Sequence, residues 1–228
     1  MLDGLRVALV SDVHAGSPWV GLDRLRTVVQ RVVDARPDLV LLLGDSLADV
    51  ALGTRLDPGP VAAVLSGLRA AGPVVGVMGN HDWHVDGEGV RAAFEAAGLP
   101  VLEEQAVPVL DGELWLAGVG DLWTRSPSVP AALAQVPPGA PTVLLTHNPD
   151  VVLDVPPAVQ LVVAGHTHGG QLALLGRPLH TISRTQGNRW TAGWYPRERL
   201  FVSAGIGTST LPLRTVSPEV PVLVLRAP

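Results

Sequence analysis

The chain predicts an α/β fold: a four-layer α-β-β-α sandwich of two mixed sheets flanked by helices. Three observations point to two sheets with helices outside. Short apolar runs alternate with helical stretches through residue 100, as in β-α-β-α-β units with right-handed crossovers. A hairpin signal interrupts that alternation near Asp111-Gly112. Beyond Gln171 the chain has strand-like pieces and no long helical pattern.

Each element has a local reason. "LRVALV" (Leu5 to Val10) is a buried strand that ends at Ser11-Asp12. In the following helix Leu22, Leu25, Val28, Val29, Val32 and Val33 recur at helical spacing, and Pro37 ends it. "DLVLLLGD" and "PVVGVMGN" read as the second and third strands. "GPVAAVLSGLRAAG" is the helix between them, and "EGVRAAFEAAGLP" is a third helix, each closed by Gly and Pro. "AVPVL" and "ELWLAGV" form the hairpin, and "TVLLTH" and "VQLVVAGHTH" are further strands. "LFVSAGIG" and "PVLVLRA" are strand-like, whereas "SPSVPAAL", "VPPGAP" and "VPPA" read as surface loops within one domain spanning 1–228.

Composition narrows the function. With 47% hydrophobic and 16% charged residues, the 228-residue chain is globular and can bury a sizeable core. A net charge of −5 gives no basic surface for nucleic acid. The absence of cysteine removes disulfides and thiolate metal ligands. No apolar run approaches the roughly 18 residues of a membrane-spanning helix. The first strand begins almost at Met1, without a basic leader or cleavage site, so the expectation is a cytoplasmic protein with no membrane anchor.

The polar residues gather at strand ends. These are Asp12 and His14, Asp45, Asn80 with His81 and Asp82, His147 with Asn148, and His166 with His168. Five of the seven histidines lie in these segments, and only His84 and His180 lie elsewhere. Ligands bind beyond the carboxyl ends of strands in open α/β sheets. Carboxylate oxygen and neutral imidazole suit Mn, Fe, Zn or Ni. Seven candidate ligands are too many for one ion and suit a pair, and two ions roughly 3.5–4 Å apart need an anionic bridge. Asp45, alone after its glycine, is the candidate. Residues two apart on extended backbone face the same way, which would bring Asp12 beside His14 and His166 beside His168. Singly, Asp-x-His and Gly-Asp are ordinary loop patterns; the ordered set is specific.

That set, "D-x-H", "G-D", "G-N-H-D", "H", "G-H-T-H", resembles the calcineurin-like metallophosphoesterase superfamily. "LLTHNPD", "GHTHGGQ" and the tail "LFVSAGIGTSTLPLRTVSPEV" are similar to its bacterial phosphodiesterase branch, which includes a UDP-diacylglucosamine pyrophosphatase type. The resemblance implies the four-layer sandwich and two divalent ions, with manganese favoured. Asp12, His14 and His168 would hold one ion, Asn80, His147 and His166 the other, and Asp45 would bridge. A bridging hydroxide would attack phosphorus in line, and His81 would protonate the leaving oxygen. Some members orient that histidine with an Asp three residues after the bridge; here Ala48 stands there and Asp49 follows it. His84 is a candidate contact to a small phosphoester substrate. The same ion pair serves phosphomonoesterases of phosphoproteins or nucleotides. A scaffold that lost its chemistry would have lost ligands, whereas all seven positions and His81 are filled.

Overall fold

The computed structural model describes residues 2–50, 52–174, 177–179, 189–209 and 211–226. His180 and Ala227, the last residue of "PVLVLRA", lie outside them.

The chain runs β1 (Arg6–Val10), α1 (Leu22–Asp34), β2 (Leu39–Leu43), α2 (Pro58–Leu65), β3 (Val74–Val77) and α3 (Asn80–Ala96). The hairpin β4 (Gln105–Val109) and β5 (Leu114–Gly118) follows, then α4 (Val129–Leu133), β6 (Thr142–Leu145) and β7 (Leu161–Ala164). Five short strands complete it: β8 (Ala173–Leu174), β9 (Arg177–Pro178), β10 (Gly193–Tyr195), β11 (Leu200–Val202) and β12 (Val222–Val224). The first sheet has the order β12-β1-β2-β3 and the second β10-β11-β7-β6-β5-β4, while β8 and β9 pair separately. Both large sheets are mixed. In the first, β12 runs antiparallel to β1. In the second, β4 and β10 are the antiparallel edges.

The period of two in each strand divides the core. Val7 and Leu9, Leu39, Leu41 and Leu43, Val143 and Leu145, and Leu161 and Val163 face the space between the sheets. Ala8, Val10, Val40 and Leu42 face α1 to α3, where Leu25, Val28, Val29 and Val32 supply the buried stripe of α1. Burying each such Leu or Val contributes about 1.5–3 kcal/mol, which makes the register between sheet and helix costly to shift.

Two boundaries differ from the sequence reading. The third helix begins at Asn80 rather than near Glu88, with a break at Asp86 (φ −174°, ψ 80°) between two helical pieces. The Asp86 side chain accepts from Gly89 N at 3.2 Å and caps the second piece. The "SPSVPAAL" segment, read as loop, contains α4, whose N-cap Ser128 accepts from Ala131 N. This helix supplies Val129 and Ala132 to the outer face of the second sheet, so the fourth layer is thin.

Candidate metal centre

Pairing of β1 with β2 continues past both strands. The register Val7↔Leu39 recurs as Ala15↔Leu47, and between them Asp12 N donates to Gly44 O and His14 N to Asp45 O. Side chains that would alternate across the sheet converge because the backbone turns left-handed. Asp12 (φ 50°), His14 (46°), Asp45 (54°), His166 (74°) and His168 (53°) all have positive φ. Asp12 and His14 do come together as expected, but through left-handed turns rather than extended backbone, and His166 and His168 go to different groups. Each such non-glycine residue costs about 1–3 kcal/mol, and this strain persists where surrounding hydrogen bonds hold it.

The structure brings six candidates into two overlapping groups, Asp12–His14–Asp45–His168 and Asp45–His147–His166. All six are buried. His14 Nε2 lies 3.1 Å from His168 Nε2, and His168 Nε2 lies 3.4 Å from Asp12 Oδ1. His147 Nε2 lies 3.2 Å from His166 Nδ1. Asp45 Oδ2 belongs to both groups, 3.5 Å from His14 Nε2 and 3.2 Å from His147 Nε2. Ligands bound at about 2.0–2.1 Å to one ion stand roughly 3 Å apart, so these spacings fit metal coordination. Asn80, the first residue of α3, is buried, and its Oδ1 has no hydrogen-bond partner. Buried polar atoms are ordinarily paired, so the unpartnered Asn80 oxygen fits a cation ligand.

Close glycines make the room. A Cβ at Gly79 would overlap Asp45 Oδ1, and one at Gly165 would overlap Ser11 Oγ and Asp12 Oδ2. At Gly205 (φ 69°), in the loop after β11, a Cβ would come within 2.5 Å of Asp12 Cβ. Gly207 N donates to Asp12 O at 2.7 Å, which closes that loop on the site.

Burial and charge set the protonation states. Burial pushes His14 and His166 well below the usual imidazole pKa and lowers His168. Burial also opposes the cation at His147, but the charge and hydrogen bond of Asp45 hold it well above the usual value. Burial disfavours the Asp45 anion, yet His147 chiefly holds it well below the carboxylate range. Burial, reinforced by the Asp45 charge, raises Asp82 to about 6.

The remaining residues have distinct places. His81 is half-buried with its ring 4.7 Å from that of His14, and its backbone N donates to Asp45 Oδ1 at 2.9 Å. His84 is exposed, 6.0 Å from the His81 ring. Asp49 is exposed, as a solvated loop residue would be, yet its carboxylate groups with the His81 and His84 imidazoles. Trp83 packs on the helical side of the first sheet beneath Arg125, 4.3 Å from its ring centre. The Arg214 guanidinium donates to the carbonyls of Ala204, Gly207, Val216 and Ser217 and pins the loop against Asp12.

Ser11 and Trp123 had no part in the site as read from the sequence, and Asp82 stood there among the strand-end polar residues without a role. Asp82 accepts from Ser46 N, Leu47 N and Gly79 N, which ties the loop after β2 to that after β3. Its signal was an acidic third position in the helix beginning at Asn80. Ser11 donates to Asp12 Oδ2. Trp123 stands edge-on to His166 with ring centres 4.3 Å apart. Its loop is turned by Asp121, whose Oδ2 accepts from Trp123 N and Thr124 N.

Comparison with known proteins places the chain in a family. A family model described as calcineurin-like phosphoesterase matches residues 5–170. The chain is 30% identical to the uncharacterized metallophosphoesterase YkuE of Bacillus subtilis, over 99% of this chain and 80% of that protein. It is 30% identical to the phosphodiesterase YaeI of Escherichia coli, over 96% of this chain and 82% of that protein. The crystal structure of the calcineurin-like phosphoesterase YfkN from Bacillus subtilis shares the fold. Its TM-score is 0.50 at 12% identity, covering 88% of this chain and 81% of that one.

Proposed function

The chain belongs to the calcineurin-like phosphoesterase family of metal-dependent hydrolases, and from that premise we propose that it is a phosphodiesterase working with two divalent ions. The observation that carries this reading is the position of Asp45 Oδ2, common to two histidine groups. On this reading Asp12, His14 and His168 would hold one ion, Asn80, His147 and His166 would hold the other, and Asp45 would serve both. The donors are all oxygen and nitrogen, which suits Mn, Fe, Zn or Ni, with manganese favoured. When bound, such a pair supplies positive charge for the phosphoryl oxygens and acidifies water for attack.

The chain's own residues do the rest. Burial of the carboxylates and imidazoles keeps bulk water from competing for them and strengthens their fields. Trp123 holds the ring plane of His166, and the Leu43 carbonyl holds that of His147. His81 stands at the edge of the buried group and gives a proton to the leaving oxygen. Asp49, the carboxylate grouped with His81, orients it. His84, exposed beside them, contacts the substrate, a small phosphoester. The name of YaeI supports diesters over monoesters.

The test is hydrolysis by manganese-reconstituted protein of bis(p-nitrophenyl) phosphate against p-nitrophenyl phosphate. Faster turnover of the diester is expected. Hydrolysis of the monoester alone would reassign the chain as a phosphomonoesterase, and hydrolysis of neither with Mn, Fe, Zn or Ni would refute the reading.

A further inference from the structure

A third group of metal-ligating side chains stands outside the buried centre. Asp49, His81 and His84 each offer one ligand atom, and the three atoms lie within 4.8 Å of one another. The group shares no residue with the two clusters around Asp45. Its geometry follows from local structure. His81 and His84 are three apart at the start of α3 and so share a helix face. Asp49 arrives from the loop after β2, which Asp82 fastens to this same helix through Ser46 N and Leu47 N. Two of the three residues are exposed, whereas the Nδ1 atom of His81 is buried and has no hydrogen-bond partner. An imidazole nitrogen shut away from water without a partner is unfavourable unless something takes its lone pair.

We propose that Asp49, His81 and His84 form a third, solvent-facing site for a zinc-class divalent ion, and that its occupation switches off proton donation by His81. Two imidazoles and one carboxylate with an open side toward water match the three-ligand pattern of an exchangeable zinc site. Two imidazoles of three ligands disfavour calcium and magnesium, which are hard ions that take oxygen ligands. Nitrogen donors favour zinc over manganese, so excess zinc fills this position where manganese does not. The consequence for His81 is chemical. With one ring nitrogen on a dication, the imidazole no longer takes up the second proton that it would pass to a leaving oxygen. This part rests on the phosphodiesterase reading; the binding site stands without it.

Equilibrium dialysis against zinc, followed by metal analysis, separates the two. Wild-type protein is expected to reach three zinc ions per chain, and Asp49→Asn and His84→Gln two. Both replaced side chains are exposed, and each variant gives an independent count. Wild type that stops at two ions, or variants that still reach three, would overturn the site. In parallel, the third equivalent should slow cleavage of a diester with an alkoxide leaving group on the order of 100-fold, within the range of general acid catalysis. A third ion that leaves this rate unchanged would overturn the link to His81. Protein inactive on every phosphoester at two ions would refute the phosphodiesterase reading, while the ion count would still decide the third site.

Discussion

His147 donates its Nδ1 hydrogen to the carbonyl oxygen of Leu43 at 2.7 Å, across the interface of the two sheets. A carbonyl only accepts, so this contact fixes the tautomer and leaves Nε2 facing Asp45 Oδ2 at 3.2 Å.

Without metal, Asp45 holds the His147 pKa well above its usual value, so the ring carries an extra proton at neutrality. The stability from this raised pKa is fully present below the ordinary imidazole value, near 6.5, and is lost as pH rises through the raised one. Asp45, whose pKa is depressed, contributes above the ordinary carboxylate value, and its share is lost as pH falls through the lowered one. A metal ion needs the neutral ring. Uptake should release about one proton near pH 7, and affinity should rise about tenfold per pH unit below the His147 pKa. Calorimetry in buffers of differing ionisation heat measures this. Uptake without proton release at neutrality would contradict the assigned pair.

Asp45→Asn removes the shared anionic oxygen, and His166→Ala removes one imidazole. Both should lower kcat for bis(p-nitrophenyl) phosphate on the order of 10²–10³-fold, the scale of losing one preorganised electrostatic group. Metal analysis should find fewer than two ions per chain in each. Unchanged turnover in either variant counts against the site.

His81→Ala should keep both ions, because His81 belongs to neither buried group. Turnover should drop on the order of 10²–10⁴-fold for alkoxide leaving groups and far less for p-nitrophenolate, which leaves without a proton. Equal losses for both would remove the acid role.

Gly79→Ala tests the room around Asp45. The backbone of Gly79 (φ −105°, ψ 176°) admits alanine, so the effect comes from overlap with Asp45. Metal affinity should fall about 10–100-fold, as when a ligand's supporting contacts are disturbed. Stability should fall about 1–3 kcal/mol, the usual range for overpacking. Gly59→Ala is the control: nothing lies within 4 Å of its Cβ position, and helix α2 should gain roughly 0.5–1 kcal/mol. Matching melting temperatures in the two variants would argue against a tight cradle.

Much of the fold was legible because burial wrote its period into the chain. Val7, Leu9, Leu39, Leu41 and Leu43 alternate with Ala8, Val10, Val40 and Leu42, and the spacing of Leu25, Val28, Val29 and Val32 admits only a helix. Helix α4 was hidden because five residues with a proline among them give no measurable period. The start of α3 was hidden because Asp86, Gly87 and Gly89 break the pattern between its two pieces. At the centre, the residue types that converge and their order were readable, since strand ends collect them. The left-handed turns at Asp12, His14, Asp45, His166 and His168 were not, because those residue types do not announce positive φ as glycine does. The role of Asp82 was hidden for a different reason: it reaches backbone groups 35 and 36 residues away, and no local pattern encodes that distance.

Each of the two buried groups draws on both sheets. Asp12, His14 and Asp45 follow β1 and β2, while His147, His166 and His168 follow β6 and β7. An ion in either group is therefore a rivet through the seam of the sandwich. A chelator would unfasten the two halves as well as silence the chemistry. Loss of metal should then appear first as faster amide exchange along the strand ends at this seam, before global unfolding begins.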